Sequence, residues 1–160
     1  MSDLNQFHAQ LELQHIYLEV YAERFHYLRP FFEGYYCYRH QLVTRQGKAD
    51  WEQIFDHGVR SKAASQITNR KQLVRELRLP LAVLIGKLKV LVRDDELSLD
   101  AIQCLLDNNL EYTILTRDEF QRLKAAGMLD RMPAEYYRQG SANYQCTGAR
   151  FDAVGIQFLD

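Results

Sequence analysis

The sequence predicts a mainly α, α+β fold, with a helical N-terminal half led by a long amphipathic helix and a small two-stranded β element in the C-terminal third. Three observations carry this. Apolar residues from Leu4 onward recur at a helical period; residues 110–115 alternate and are β-branched in part; and Thr116-Arg117-Asp118-Glu119 follows at once as a capping box that opens another helix. At 160 residues the chain has the length of one domain, expected to span 1–160 and to bury roughly two-thirds of its unfolded surface.

Taken in order, the first helix starts at Ser2 or Asp3 as N-cap and shows a heptad-like seam of Leu4, Phe7, Leu11, Leu18, Tyr21, Phe25 and Leu28, broken only by Gln14. Leu13, Ile16, Tyr17 and Val20 widen this face beyond a coiled-coil seam, so the helix is expected to be the spine of the fold and to stop or kink at Arg29, before Pro30. An aromatic helix is expected over 30–45, closed by a turn at Gly47, then a short helix over 51–55 ended by Gly58. Residues 59–69 read as a loop and 71–79 as helix, with a further helix over 81–92 that Pro80 opens. Ser98 caps a helix running through Leu106. After the strand and capping box, a helix runs to Gly127 at its C-cap, and residues 156–159 are expected to pair with 110–115.

Net charge is −1, but the charges are segregated. Between Gly58 and Arg93 stand nine basic residues, including Arg60, Lys62, Arg70, Lys71, Arg75 and Arg78, against Glu76 alone; the next stretch, through Glu119, holds eight acids against Arg117. A basic segment of this kind attracts acidic protein surfaces or phosphate backbones, unless the acidic segment neutralises it. Ten tyrosines add stackable, half-polar area, and Tyr136, Tyr137 and Tyr144 lie in a stretch rich in glycine and small polar residues. The candidate binding residues are therefore Arg60, Lys62, Arg70, Lys71, Arg75, Arg78, Tyr136, Tyr137 and Tyr144. If nucleic acid is the ligand, Asn69 and Gln72 are placed to reach base edges.

No catalytic residue, metal or cofactor is predicted. Glu12-x-x-His15 and Glu23-x-x-His26 have the spacing of di-iron carboxylate bundles, yet both pairs sit on one helix, about 16 Å apart by helical rise, and cannot share a metal. With His8 and Glu19 they are expected to line a solvated face. His40, His57, Asp56, Glu52 and Cys37 have the chemistry of acid, base and nucleophile without a spacing that joins them. Cys37, Cys104 and Cys146 form no CxxC and are expected as reduced, buried thiols. No apolar run approaches bilayer length and no secretory leader is apparent, so the expected address is the cytoplasm.

Glu76-Leu77-Arg78-Leu79-Pro80, then Leu115-Thr116-Arg117-Asp118-Glu119 with Arg122, Leu123, Ala126 and Gly127, then Met132-Pro133, and finally Arg150, Phe151, Ala153, Gly155 and Ile156 resemble small uncharacterised bacterial and phage-type proteins. Those carry Glu-His-x-x-Pro, a Thr-x-Glu-Glu block and an Arg-Tyr-x-x-x-Gly-Ile ending. The resemblance covers about the last 85 residues, and Leu77 stands where the histidine would be. It implies that any chemistry of that histidine is lost here, in favour of binding. The expected function is that of a non-enzymatic interaction protein, phage- or mobile-element-like, an inhibitor or regulator docking on a protein partner. DNA or RNA binding, or a degenerate nuclease, through the basic segment 60–93 is the alternative.

Overall fold

The Ser2 hydroxyl accepts the amide of Asn5 at 3.2 Å and so opens α1, Asp3–Tyr21. The helix ends nine residues before Pro30, with Glu23 in the left-handed region (φ 57°), the Arg24 amide on the Glu19 carbonyl at 2.8 Å and the Glu23 amide on that of Val20 at 3.0 Å. This is a Schellman stop built without glycine, which is why the sequence did not announce it. The computed structural model from which these features are read describes residues 2–159.

Most of the expected order holds. After a 3-10 turn at Phe25–Tyr27 come α2 (Arg29–Arg39), α3 (Ile54–His57), β1 (Val59–Arg60), β2 (Leu73–Leu77), α4 (Leu81–Arg93), α5 (Leu99–Asn109), β3 (Tyr112–Thr116), α6 (Arg117–Ala125) and α7 (Ala149–Ala153). Ser98 caps α5, and the capping box of α6 is complete: Thr116 Oγ1 accepts the Glu119 amide at 3.1 Å while Glu119 Oε1 accepts that of Thr116 at 2.9 Å. The fold is α+β with a helical N-terminal half.

The chain forms two compact units. The first comprises residues up to 56 together with 84–110, the second 57–83 together with 111 onward. In the first, α1 packs on α2 and α5. It does so through Asn5, Ala9, Leu13, Ile16 and Val20, while the heptad seam lies on the opposite side of the helix. The seam is thus not the spine of the fold. Of the histidine and glutamate face expected to be solvated, His15 and Glu23 are exposed, whereas His8, Glu12 and Glu19 are half-buried: His8 stacks on Tyr38 (4.9 Å between ring centroids), His15 meets the edge of Phe31 (5.1 Å), and Glu12 lies over Gly34, where a Cβ would approach its carboxyl carbon to 3.1 Å. Gly34 therefore sets how closely α2 approaches α1.

In the second unit β3 is central, parallel to β1 and antiparallel to β2. All five of its residues are buried, as a strand flanked on both edges and covered on both faces requires. The expected helix over 71–79 is overturned: Leu73 and Leu77, spaced like one helical turn, are the two buried ends of β2, paired with Thr116 and Tyr112. The loop expected over 59–69 contains β1. Residues 156–159 do not pair with β3; Phe158 bridges Ser61, and the Lys62 amide donates to the Gln157 carbonyl at 2.7 Å. Leu115, Leu123, Phe151 and Ile156 form the core here.

Ser61 is fully buried and ties the unit together. Its amide donates to the Ile114 carbonyl at 2.9 Å, and its hydroxyl donates to Glu119 Oε1 at 2.5 Å and accepts from the Ala64 amide at 3.0 Å. Of the cysteines only Cys37 is buried; Cys104 is exposed and Cys146 half-buried, because they fall on the outer side of α5 and in the loop before α7.

Candidate interaction sites

The basic residues picked out by charge divide in two. Arg60, Arg75 and Arg78 are half-buried and engaged inside the second unit. Arg60 donates to the carbonyls of Ile67 (3.3 Å) and Ala64 (3.5 Å), Arg75 lies over the Tyr112 ring at 5.8 Å, and Arg78 donates to Thr147 Oγ1 at 2.9 Å beside Glu111 Oε2 at 3.9 Å. Lys62, Arg70 and Lys71 are exposed. Asn69 is occupied as a cap, its Oδ1 accepting the Lys71 amide at 3.0 Å. Of the three candidate tyrosines, Tyr136 is buried and meets Tyr137 edge-on at 4.9 Å, leaving Tyr137 and Tyr144 exposed.

Charge follows the two units more sharply than it follows the sequence. The first holds eight lysines and arginines against thirteen acids, net −5; the second holds twelve against eight, net +4. The acidic stretch is divided between them: Asp94 to Asp107 belong to the first unit, and Glu111, Asp118 and Glu119 to the second.

Two clusters escaped the sequence reading. In the first unit, the Tyr35 hydroxyl donates to Asp107 Oδ1 at 2.6 Å with Arg39 Nε 3.5 Å from the same oxygen, beside a cavity of about 160 Å³ that Tyr36, His40 and Leu110 also line. Burial, then the hydrogen bond to Asp107, pushes the Tyr35 phenol well above its ordinary range, so it stays a donor across the physiological range. The His40 ring leans on Tyr36 at 4.4 Å.

The second cluster surrounds Arg150 on α7, which is fully buried. Its Nη1 donates to the carbonyls of Met128 (2.8 Å) and Leu129 (3.3 Å), Nη2 to Glu76 Oε1 (3.3 Å) and the Leu77 carbonyl, and Nε to the Arg78 carbonyl (3.4 Å). A guanidinium has five N–H donors, and each has an acceptor here. Burial lowers its pKa and the Glu76 carboxylate opposes that shift. No signal in Ala149-Arg150-Phe151 distinguishes this arginine from a surface one, since four of its five acceptors are backbone carbonyls.

The remaining feature is the α1 seam itself. Leu4, Phe7, Leu18 and Tyr21 are 56, 57, 62 and 71 % exposed, in line along one side of a 19-residue helix. Gln14 is exposed and Leu11 half-buried between them, Tyr17 stacks beside Tyr21 at 6.1 Å, and between Leu4 and Tyr21 no charged residue falls on this stripe. Among the described residues no group of three or more His, Cys, Asp or Glu is placed to hold a metal, and no helix is long and apolar enough to cross a membrane. The chain matches no family model, no curated protein and no solved structure.

Proposed function

We propose that this chain is a non-enzymatic interaction protein, of the inhibitor or regulator kind carried by phages and mobile elements, that acts by docking on a protein partner. The observation that carries the reading is the charge-free apolar stripe of Leu4, Phe7, Leu18 and Tyr21 on α1. A folded chain that has already buried the opposite face of the same helix gains nothing by leaving two leucines and two aromatic rings in water, and contiguous apolar patches of this size mark docking sites. The test compares the chain with its Phe7→Glu/Leu18→Glu variant, checked by circular dichroism, as bait in host lysate at mild salt. A partner held by the first and lost by the second is the expected result. Equal recovery by both, or none by either from a chain that sediments as a monomer, overturns the reading.

The net charge of +4 on the second unit, with Lys62, Arg70 and Lys71 exposed, favours a second reading as a DNA- or RNA-binding protein. Tyr137 and Tyr144 supply exposed rings for unpaired bases. Retention in a mobility-shift series that weakens steeply with salt and falls on Arg70→Ala/Lys71→Ala supports it. Absence of retention at low salt removes it.

A further inference from the structure

Leu4, Phe7, Leu11, Gln14, Leu18 and Tyr21 alternate steps of three and four along α1, a 3.5-residue repeat sustained over the whole helix. Side chains that pack into a globular core follow the 3.6 period and a wider arc; a strict alternation of three and four keeps a narrow seam facing one partner helix of the same repeat. Here the two roles are separated on one helix. The core face is Asn5, Ala9, Leu13, Ile16 and Val20, and the seam opposite it leaves Leu4, Phe7, Leu18 and Tyr21 more than half exposed.

We infer that this seam is the interface of a homodimer in which α1 of two copies pack side by side in opposite directions. The inference rests on the reading of α1 as a docking face and names its occupant. Two observations favour a second copy over an unlike partner. Between Leu4 and Tyr21 the stripe has no charged residue to select a charged surface, and a neutral, apolar seam is complementary to itself. Its area suits a twofold interface: Phe7 and Tyr21 each leave roughly 110–140 Å² open and the two leucines about 100 Å² each, so two copies cover roughly 900 Å² from these side chains alone. Leu11, Gln14 and Tyr17 at the rim carry the total past the roughly 1,000 Å² that separates specific interfaces from casual contacts. The orientation follows from the last turn of α1, which holds no basic residue: an antiparallel mate sets the N-terminal end of one dipole beside the uncompensated C-terminal end of the other. In that register Leu4 of one copy faces Tyr21 of its mate, Phe7 faces Leu18, and Leu11 faces Gln14.

The experiment is sedimentation velocity on the purified full chain across concentrations from about 1 to 300 µM, bracketing the micromolar affinity expected of an interface at the low end of the specific range. The expected result is a shift from 18.8 kDa to twice that mass. It is lost in Phe7→Glu/Leu18→Glu and, in case that variant folds poorly, in the milder Leu4→Gln, with helicity unchanged. Orientation is read by cysteine cross-linking. Leu4→Cys combined with Tyr21→Cys links copies, whereas Leu4→Cys alone does not, because in the antiparallel pair its two sites lie about 25 Å apart by helical rise. A chain that stays monomeric throughout overturns the dimer; if the lysate partner is still held by the native chain and lost by the double variant, the docking reading survives with a different occupant. Linking by Leu4→Cys alone overturns the antiparallel arrangement. A dimer indifferent to both seam variants overturns the interface.

Discussion

The Arg150 guanidinium donates through Nη2 to the main-chain carbonyl of Leu77, joining α7 to β2 across 73 positions of sequence. Glu76 Oε1 receives the same nitrogen at 3.3 Å and is the only charged acceptor in the cluster. A buried cation held by carbonyls is costly to desolvate and far costlier to disrupt by halves, since removing the arginine takes the donor from the buried bond to the Leu77 carbonyl and from the part-buried ones beside it.

Arg150→Lys and Arg150→Met are therefore expected to destabilise the protein by about 3–5 kcal/mol, with lysine no better than methionine because one ammonium cannot span five acceptors. Glu76→Gln, which keeps an acceptor oxygen, should cost clearly less. Urea unfolding of the three variants measures this. A loss under about 1 kcal/mol in Arg150→Met would show that the cluster is not the clamp described.

Three helix ends are closed by non-glycine residues in the left-handed region: Glu23 after α1, Gln41 after α2 and Asp95 after α4, at φ of 57°, 61° and 56°. The Leu42 amide reaches the Cys37 carbonyl and that of Glu96 the Leu91 carbonyl, each at 2.8 Å, so all three are Schellman stops. An L-residue pays roughly 1–2 kcal/mol there, and glycine returns part of that through its freer unfolded chain. Gln41→Gly, whose side chain is exposed, should stabilise by about 0.5–1 kcal/mol and raise Tm. Gly127→Ala, at φ 70° after α6, should lower Tm by the reverse argument.

Glu12 lies against Gly34, and burial raises its carboxyl above the usual carboxylate range, with His15 and His8 working in the opposite sense. Folding then favours the protonated acid, so the folded state binds more protons than the unfolded one between the two pKa values. Stability is lost as pH rises from the ordinary carboxylate range through the raised folded value. Glu12→Gln removes that dependence. Its Tm should equal or exceed that of the native chain at pH 7, and the gap should close toward pH 4. A gap that widens on acidification would reverse the assignment.

The capping box at Thr116, the Ser98 and Ser2 caps, the turn at Gly47 and the stop at Gly127 are legible in the sequence, because each depends on residues within four positions of one another: the capping side chains make the hydrogen bonds themselves, and the two glycines take the positive φ. The ends of α1 at Tyr21 and α2 at Arg39 are as local, but no glycine marks them, and the expected stop at Arg29 and helix to 45 do not hold. β2 was beyond that reach. Its Leu73 and Leu77 spacing suits one helical turn, and only β3, some forty residues later, supplies the ladder that makes it a strand. Arg150 and Ser61 are hidden for the same reason: neither announces burial, and their side-chain partners in other elements are 21 to 74 and 58 positions away.

The first helix divides the two kinds of information most plainly. That residues 3–21 form a helix, and that a 3.5-residue apolar seam runs along it, follow from the sequence alone, because period and capping are properties of a single element. Which face turns inward does not. The long apolar side chains of the seam looked like the natural core, but α2 approaches closely only over Gly34 and the smaller residues on the far side, Ala9 among them, where Glu12 and the two histidines also find partners. Close packing between helices is set by how near their backbones come, and that distance belongs to the pair. The tertiary structure thus decided which of the two apolar faces of α1 is buried and which is left facing water.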